Sequence, residues 1–285
     1  MKFIRDPQKL NRILTSLRAR GKTIGFVPTM GALHEGHLSL VRASRCENDV
    51  TVASIFVNPA QFGPKEDLAK YPRPIHADLN FLRAAKVDFV LTPSVGAMYP
   101  EGLGKPLKIK NAKWPRLAQR LCGKFRPGHF QGVVTVVAKL LDIVGPSRLY
   151  LGAKDYQQAA ILRQMVKDLK LKVRVKIQPT VREKNGLAMS SRNRYLSPEE
   201  RRRALTISRV LSGLKRDLSK KKGTVESLRG RALRELKKDV DCVQYLEIVD
   251  PGTLLPVKKY QGKMAAAAAC FVGKTRLIDN VIIRA

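Results

Sequence analysis

The sequence predicts an α/β protein: a parallel sheet with helices on both faces over residues 1–180, then a smaller C-terminal α+β domain over residues 181–285. Two observations predict it. Through the first 180 residues, short apolar strand-like runs alternate with amphipathic helical patterns, as βαβ crossovers require. Near Thr180 the order changes to two long basic helices followed by three strand-like runs, and segregated helices and strands suit an α+β arrangement.

Residues 23–27 form the first expected strand and residues 36–46 the helix after it. Strands at 50–57, 88–92, 148–152 and 172–178, with helices at 75–85, 131–143 and 156–169, continue the alternation. Runs such as Phe89-Val90-Leu91 and Leu149-Tyr150-Leu151 are apolar throughout, which is how strands covered on both faces read. In such sheets ligands gather beyond the carboxyl ends of the strands. Three segments fall there: 30–37, Asn58-Pro59-Ala60-Gln61-Phe62, and Gly152-Ala153-Lys154-Asp155.

In the second domain, Ser197-Pro198-Glu199-Glu200 is a strong helix start, with a serine N-cap, proline at the first helical position and glutamate at the third. A helix to about residue 218 and another at 224–238 follow, then strands at 243–249, 264–272 and 275–283. The alanine run 265–269 favours helix by propensity, but its setting between strands makes a buried strand the expectation.

Composition narrows the class. With 44% hydrophobic residues the 285-residue chain can build a sizeable core, and no apolar run reaches membrane-spanning length. The opening Met-Lys-Phe-Ile-Arg-Asp has no signal-peptide core, and Cys46, Cys122, Cys242 and Cys270 are scattered without a C-x-x-C pair. Both features fit reduced thiols in the cytoplasm. The net charge of +32 raises the question of a nucleic-acid partner. Its distribution argues against that as the main function: 31 Lys/Arg face 12 Asp/Glu in residues 1–180, and 24 face 11 in the rest, so neither part is a basic tail. Aromatics are only 6% and do not interleave with the basic runs, as a base-stacking surface would require. A solvated basic surface that attracts anionic substrates is the reading adopted.

The chemistry concentrates in Pro28-Thr29-Met30-Gly31-Ala32-Leu33-His34-Glu35-Gly36-His37. Two histidines three apart, among glycines, stand where a parallel strand turns into a helix. Such a turn presents backbone N–H groups and the positive end of the helix dipole to an anion. Imidazoles there can donate to phosphate oxygens and stabilise charge that develops on them. By contrast, Gly273-Lys274-Thr275 only looks like the end of a P-loop, since the glycine needed five positions earlier is Ala268.

Five blocks in order resemble the pantoate–β-alanine ligase (pantothenate synthetase) family of the nucleotidyltransferase superfamily. They are the 27–37 block, Ser54-Ile55-Phe56-Val57-Asn58-Pro59-Ala60-Gln61-Phe62, Arg126-Pro127-Gly128-His129-Phe130, Lys154-Asp155-Tyr156-Gln157-Gln158, and the 187–196 block around Met189-Ser190-Ser191-Arg192. The match is collinear from about residue 22 to 196 and returns at Thr275-Arg276-Leu277-Ile278-Asp279-Asn280. The resemblance implies a Rossmann-like domain with a smaller C-terminal lid domain, a homodimer, and a two-step reaction in pantothenate biosynthesis. Pantoate is first adenylated by ATP with release of pyrophosphate; β-alanine then displaces AMP.

The resemblance also implies roles. Met30, Gly31, Ala32, Leu33, His34, Glu35, Gly36 and His37 would hold the ATP phosphates, with His37 and His34 catalytic. Gln61 and Gln158 would bind pantoate. Gly152, Ala153, Lys154 and Asp155 would meet ATP, Lys154 at phosphate and Asp155 at the ribose. Val181 would line the adenine pocket, and Met189, Ser190, Ser191 and Arg192 would form a second phosphate grip. Mg²⁺ would accompany ATP, with Asp78 as its protein contact. The chain departs from the family pattern at Ala153 and Cys122, each where a glutamate is usual, and at Ala60, where methionine is common. The alternative function is a basic nucleic-acid-binding protein that keeps a degenerate nucleotidyltransferase fold.

Overall fold

A computed structural model describes every residue except Lys65, Gly104 and Ala285. The elements in chain order are β1 (Lys2–Ile4), α1 (Pro7–Ala19), β2 (Ile24–Thr29), α2 (Glu35–Glu47), β3 (Val50–Ile55), α3 (Ile75–Ala84), β4 (Phe89–Leu91) and α4 (Val95–Met98). Then come α5 (Trp114–Ala118), α6 (Cys122–Phe125), α7 (His129–Val144), β5 (Arg148–Gly152), α8 (Tyr156–Asp168) and β6 (Arg174–Gln178). The chain ends with α9 (Pro198–Ser219), α10 (Val225–Asp239), β7 (Cys242–Val249), β8 (Lys263–Val272) and β9 (Thr275–Arg284).

The chain forms two compact units. The first comprises Met1–Ala118, Arg126–Ala153 and Gln158–Pro179; the second comprises Gln119–Phe125, Lys154–Gln157 and Thr180–Ala285. The division is therefore not one cut near residue 180. Hydrogen bonds explain the two outlying segments. The Gln157 side chain ties them together, donating to the Arg120 carbonyl at 2.6 Å and accepting from the Cys122 amide at 2.9 Å. The Tyr156 hydroxyl donates to the Pro251 carbonyl at 2.9 Å, which fastens them to the unit that carries β7–β9.

In the first unit six parallel strands lie in the order β1-β4-β3-β2-β5-β6. From β2 the chain moves outward through β3 and β4, while β5 and β6 continue on the other side. The switch between β2 and β5 is where a doubly wound sheet opens a crevice at its carboxyl edge. Val27, Ala53 and Val90 from three strands pack with Leu40 and Val41 of α2 and Leu82 of α3 in one buried cluster. Each large aliphatic side chain so buried contributes about 1.5–3 kcal/mol relative to exposure. On α7 eleven of sixteen residues are buried, so this helix is enclosed rather than amphipathic.

In the second unit β7-β8-β9 form an antiparallel sheet. Ile207, Leu211, Leu214 and Leu218 of α9, recurring every three or four residues, line one helix face and pack with Leu228 and Leu236 of α10 against Ala266, Ala268 and Cys270. The alanine run is the central strand, as expected: every residue from Ala265 to Ala269 is paired to both neighbours and buried. Helix α9 starts on the expected capping box, the Glu200 amide donating to Ser197 Oγ at 3.2 Å and the Ser197 amide to Glu200 Oε2 at 2.8 Å.

Candidate active site

The loop after β2 is built around a buried carboxylate. Gly31 (φ 80°) and Ala32 (φ 50°) are both left-handed. At position 31 a Cβ would stand 2.9 Å from Asp78 Oδ2 and 3.0 Å from Ile55 Cγ2, so glycine is required for space as well as for φ. Ala32 holds its unfavourable φ because Asp78 grips the turn: the Ala32 amide donates to Oδ2 and the Leu33 amide to Oδ1, each at 2.8 Å. Asp78 is 1% exposed, and Ala32 and Leu33 are equally enclosed. These three residues set the shape of the loop. Asp78, the residue expected to contact Mg²⁺, thus serves as the anchor of this loop.

His34 is the N-cap of α2 and closes a capping box with His37. His34 Nδ1 accepts from the Gly36 amide at 3.1 Å, and His37 Nδ1 accepts from the His34 amide at 3.3 Å. A ring nitrogen that accepts carries no hydrogen, so the network assigns both imidazoles the neutral Nε2–H tautomer. The ring centroids lie 4.1 Å apart. Two imidazole N–H donors therefore stand at the positive end of a thirteen-residue helix. Glu35, in the same turn, is ion-paired with Arg42.

After β3, the turn at Pro59–Gln61 is held from several sides. Gln61 is 8% exposed; its Nε2 donates to Met30 Sδ at 2.8 Å, and its Oε1 accepts from Asn58 Nδ2 at 3.1 Å. Asn58, 1% exposed, also donates to the Gly132 carbonyl at 3.2 Å and accepts from the Tyr99 hydroxyl at 2.7 Å. Burial pushes the Tyr99 phenol up to about 12, which keeps it a donor. A Cβ on Gly132 would lie 2.2 Å from the Ala60 carbonyl oxygen, so this glycine lets α7 pack directly on the turn.

A second chain of bonds reaches the Gln61 backbone. His129 Nδ1 lies 2.8 Å from the Gln61 carbonyl, which can only accept, so Nδ1 donates and Nε2 accepts from Arg126 Nη1 at 3.0 Å. Arg126 in turn forms a two-pronged pair with Glu66, at 2.7 and 2.5 Å. Burial works to raise the Glu66 carboxyl, but the Arg126 hydrogen bonds and charge outweigh it and hold the group below its ordinary range. The blocks containing Asn58, Arg126 and His129 were visible in sequence without this connection. Glu66 and Tyr99 gave no signal there.

Beyond β5 the adjacent glutamines separate. Gln157 is 6% exposed and spends its amide within the second unit, while Gln158 is part-buried on α8 in the first. Gly152 and Ala153 close the first-unit segment.

The second unit assembles the other expected residues. Lys154 Nζ stands 3.8 Å from Asp155 Oδ1. Val181 and Met189 form the ends of a hairpin, the Met189 amide donating to the Val181 carbonyl at 3.0 Å. The next turn, Ser191–Tyr195, is capped by Ser190, whose Oγ accepts from the Arg192 amide at 3.3 Å. At the departure from the family pattern, Cys122 Sγ accepts from Arg276 Nη2 at 3.1 Å and lies 3.4 Å from the Tyr245 hydroxyl. Burial, then Cys122, raises the Tyr245 phenol well above its usual value.

A family model described as pantoate-beta-alanine ligase matches residues 2–282. The chain belongs to the pantoate–β-alanine ligase family. It is 48% identical over 287 residues to a pantothenate synthetase of Caldicellulosiruptor bescii, with 100% of both chains covered. A Sulfurihydrogenibium relative of the same name is also 48% identical, over 99% of each chain. Among solved structures, the pantothenate synthetase of Thermus thermophilus superposes with a TM-score of 0.91 at 42% identity, over 99% of each chain. The pantoate-beta-alanine ligase of Francisella tularensis, complexed with beta-gamma ATP and beta-alanine, gives 0.81 at 36% identity, covering 99% of this chain and 97% of that one. Nothing in these matches supports the nucleic-acid-binding alternative.

Proposed function

We propose that the chain condenses pantoate with β-alanine at the expense of ATP, through a pantoyl adenylate. The observation that carries the reading is the His34–His37 capping box at the switch-point edge of the sheet, within a family match that spans residues 2–282. In the first step a pantoate carboxylate oxygen attacks the α-phosphorus and the bond to the β-phosphate breaks, releasing pyrophosphate. In the second the β-alanine amine attacks the acyl carbon, loses a proton and expels AMP. Negative charge shifts among phosphate oxygens in both steps, so pre-aimed donors supply the catalysis.

His34 and His37 each offer Nε2–H to those oxygens. Neutral donors fixed by their own helix cap need no reorganisation as charge develops. Gln61, held at both ends of its amide, takes pantoate together with Gln158. Lys154 and the Met189-Ser190-Ser191-Arg192 grip bind phosphate, Asp155 the ribose, and Val181 lines the adenine pocket. Mg²⁺ is read as part of the substrate: both oxygens of Asp78 serve loop amides, and among the described residues no three His, Cys, Asp or Glu side chains converge. A cytoplasmic homodimer completes the reading. Four free cysteines support the compartment, and the family resemblance supports the dimer.

The test is a pyrophosphate and AMP assay. ATP with pantoate alone should give pyrophosphate limited to the number of enzyme sites, and adding β-alanine should start sustained AMP release. Continuous AMP release that ignores β-alanine would overturn the two-step reading.

A further inference from the structure

Strand β9 carries Thr275-Arg276-Leu277-Ile278-Asp279-Asn280, a block to which the reaction has so far given no work. It contains two consecutive polar side chains that are nearly enclosed: Asp279 is 4% exposed and Asn280 6%. Successive strand residues face opposite sides of a sheet, so these two reach in different directions. Buried polar groups are costly unless bonded, and the bonds each makes show what it holds.

Asp279 lies opposite Ala268 and is gripped by both prongs of Arg182, Nη1–Oδ2 at 2.7 Å and Nη2–Oδ1 at 3.0 Å. Arg182 Nη1 also donates to the Gly186 carbonyl at 3.1 Å, closing the hairpin whose ends are Val181 and Met189. Asn280 lies opposite Ala267, and its Nδ2 donates to the Lys154 carbonyl at 2.9 Å. One dipeptide on an edge strand thus fastens both the Lys154–Asp155 segment and the Val181–Met189 hairpin.

We propose that Asp279 and Asn280 are positioning residues for ATP, fixing Lys154 and the Val181–Met189 hairpin relative to one another. This rests on the reading that those two segments bind ATP. Asn280 acts on Lys154 through its backbone, and Asp279 acts on the hairpin through Arg182.

The experiment measures steady-state KM for ATP and for pantoate in Asn280→Ala, Lys154→Ala and the double variant, with melting temperatures in parallel. Losing one hydrogen bond of this kind corresponds to about a fivefold change, so Asn280→Ala should raise the ATP KM about fivefold and leave the pantoate KM within about twofold. Because Asn280 works through Lys154, adding Asn280→Ala to Lys154→Ala should change the ATP KM little further. An unchanged ATP KM, equal shifts for both substrates, or additive effects would overturn the proposal. A Lys154→Ala variant with normal ATP kinetics would instead overturn the placement of ATP on which it rests. Should Asn280→Ala fail to fold, Asn280→Ser keeps a small polar side chain that does not reach the carbonyl, and the same outcomes apply. Arg182→Lys, which keeps the charge but loses the fork, should raise the ATP KM in the same selective way.

Discussion

A histidine can serve as cap and as donor at once, and in the 30–37 loop the two uses fall on different nitrogens. His37 Nδ1 accepts the His34 amide, leaving the hydrogen on Nε2. His37→Ala removes both and should slow adenylation roughly 10²-fold, the scale for losing one charge-stabilising donor. His37→Asn puts an oxygen near the Nδ1 position and should recover thermal stability without recovering the rate. If His37→Asn restored the rate, the catalytic part assigned to Nε2 would be wrong. Asp78 separates two readings in a similar way. Asp78→Asn strips one loop amide of its acceptor, and an orphaned buried donor costs roughly 1–3 kcal/mol. The expected result is a lower melting temperature and slower adenylation that extra Mg²⁺ does not repair. Repair by Mg²⁺ would return Asp78 to the metal.

At the scale of elements, the strands and helices that build the switch point were legible because burial imposes simple patterns. Residues 148–152 were expected as a strand and are one; 131–143 was expected as helix and the structure extends it to His129–Val144. The alanine run defeats propensity because it is paired on both sides, a tertiary fact that its neighbours in sequence only suggested. The three-residue edge strand β1 is too short for any period to show. The helix α1, absent from the expected elements, does carry a start signal: Asp6 caps it, Pro7 stands at its first position, and Leu10 and Leu14 share its buried face. What sequence could not reveal is which residues hold the site together. Gly132 looks like an ordinary helix glycine until the Ala60 carbonyl is seen against it. Gly132→Ala should cost about 1–3 kcal/mol through overpacking and, by displacing the Gln61 turn, raise the pantoate KM more than the ATP KM. Equal effects on the two substrates would mean that the turn does not position pantoate. The Glu66–Arg126 pair is equally hidden, its partners being sixty residues apart. Its carboxyl is held below the ordinary range, so its stabilisation is complete at neutral pH and is lost as the pH falls through the folded-state value. Unfolding midpoints of the native chain and Glu66→Gln should therefore differ at neutral pH and converge in acid; a constant gap would show that the pair does not titrate with folding.

For the whole molecule the open quantity is charge. A net +32 is shared by both parts of the sequence rather than gathered in a tail, so its effect on small substrates is a field rather than a contact. Such a field acts in proportion to substrate charge and is screened over about 8 Å at physiological salt. ATP carries several negative charges and pantoate one, whereas β-alanine is a zwitterion with none net. Raising the concentration of an inert salt at constant Mg²⁺ should then lower kcat/KM steeply for ATP, weakly for pantoate and scarcely at all for β-alanine. The order of the three slopes is the diagnostic, since a salt effect on folding or on the chemical step would move all three together. Flat behaviour for ATP would mean that contacts such as Lys154 and Arg192 do all the anion recognition and that the surplus charge serves something other than catalysis.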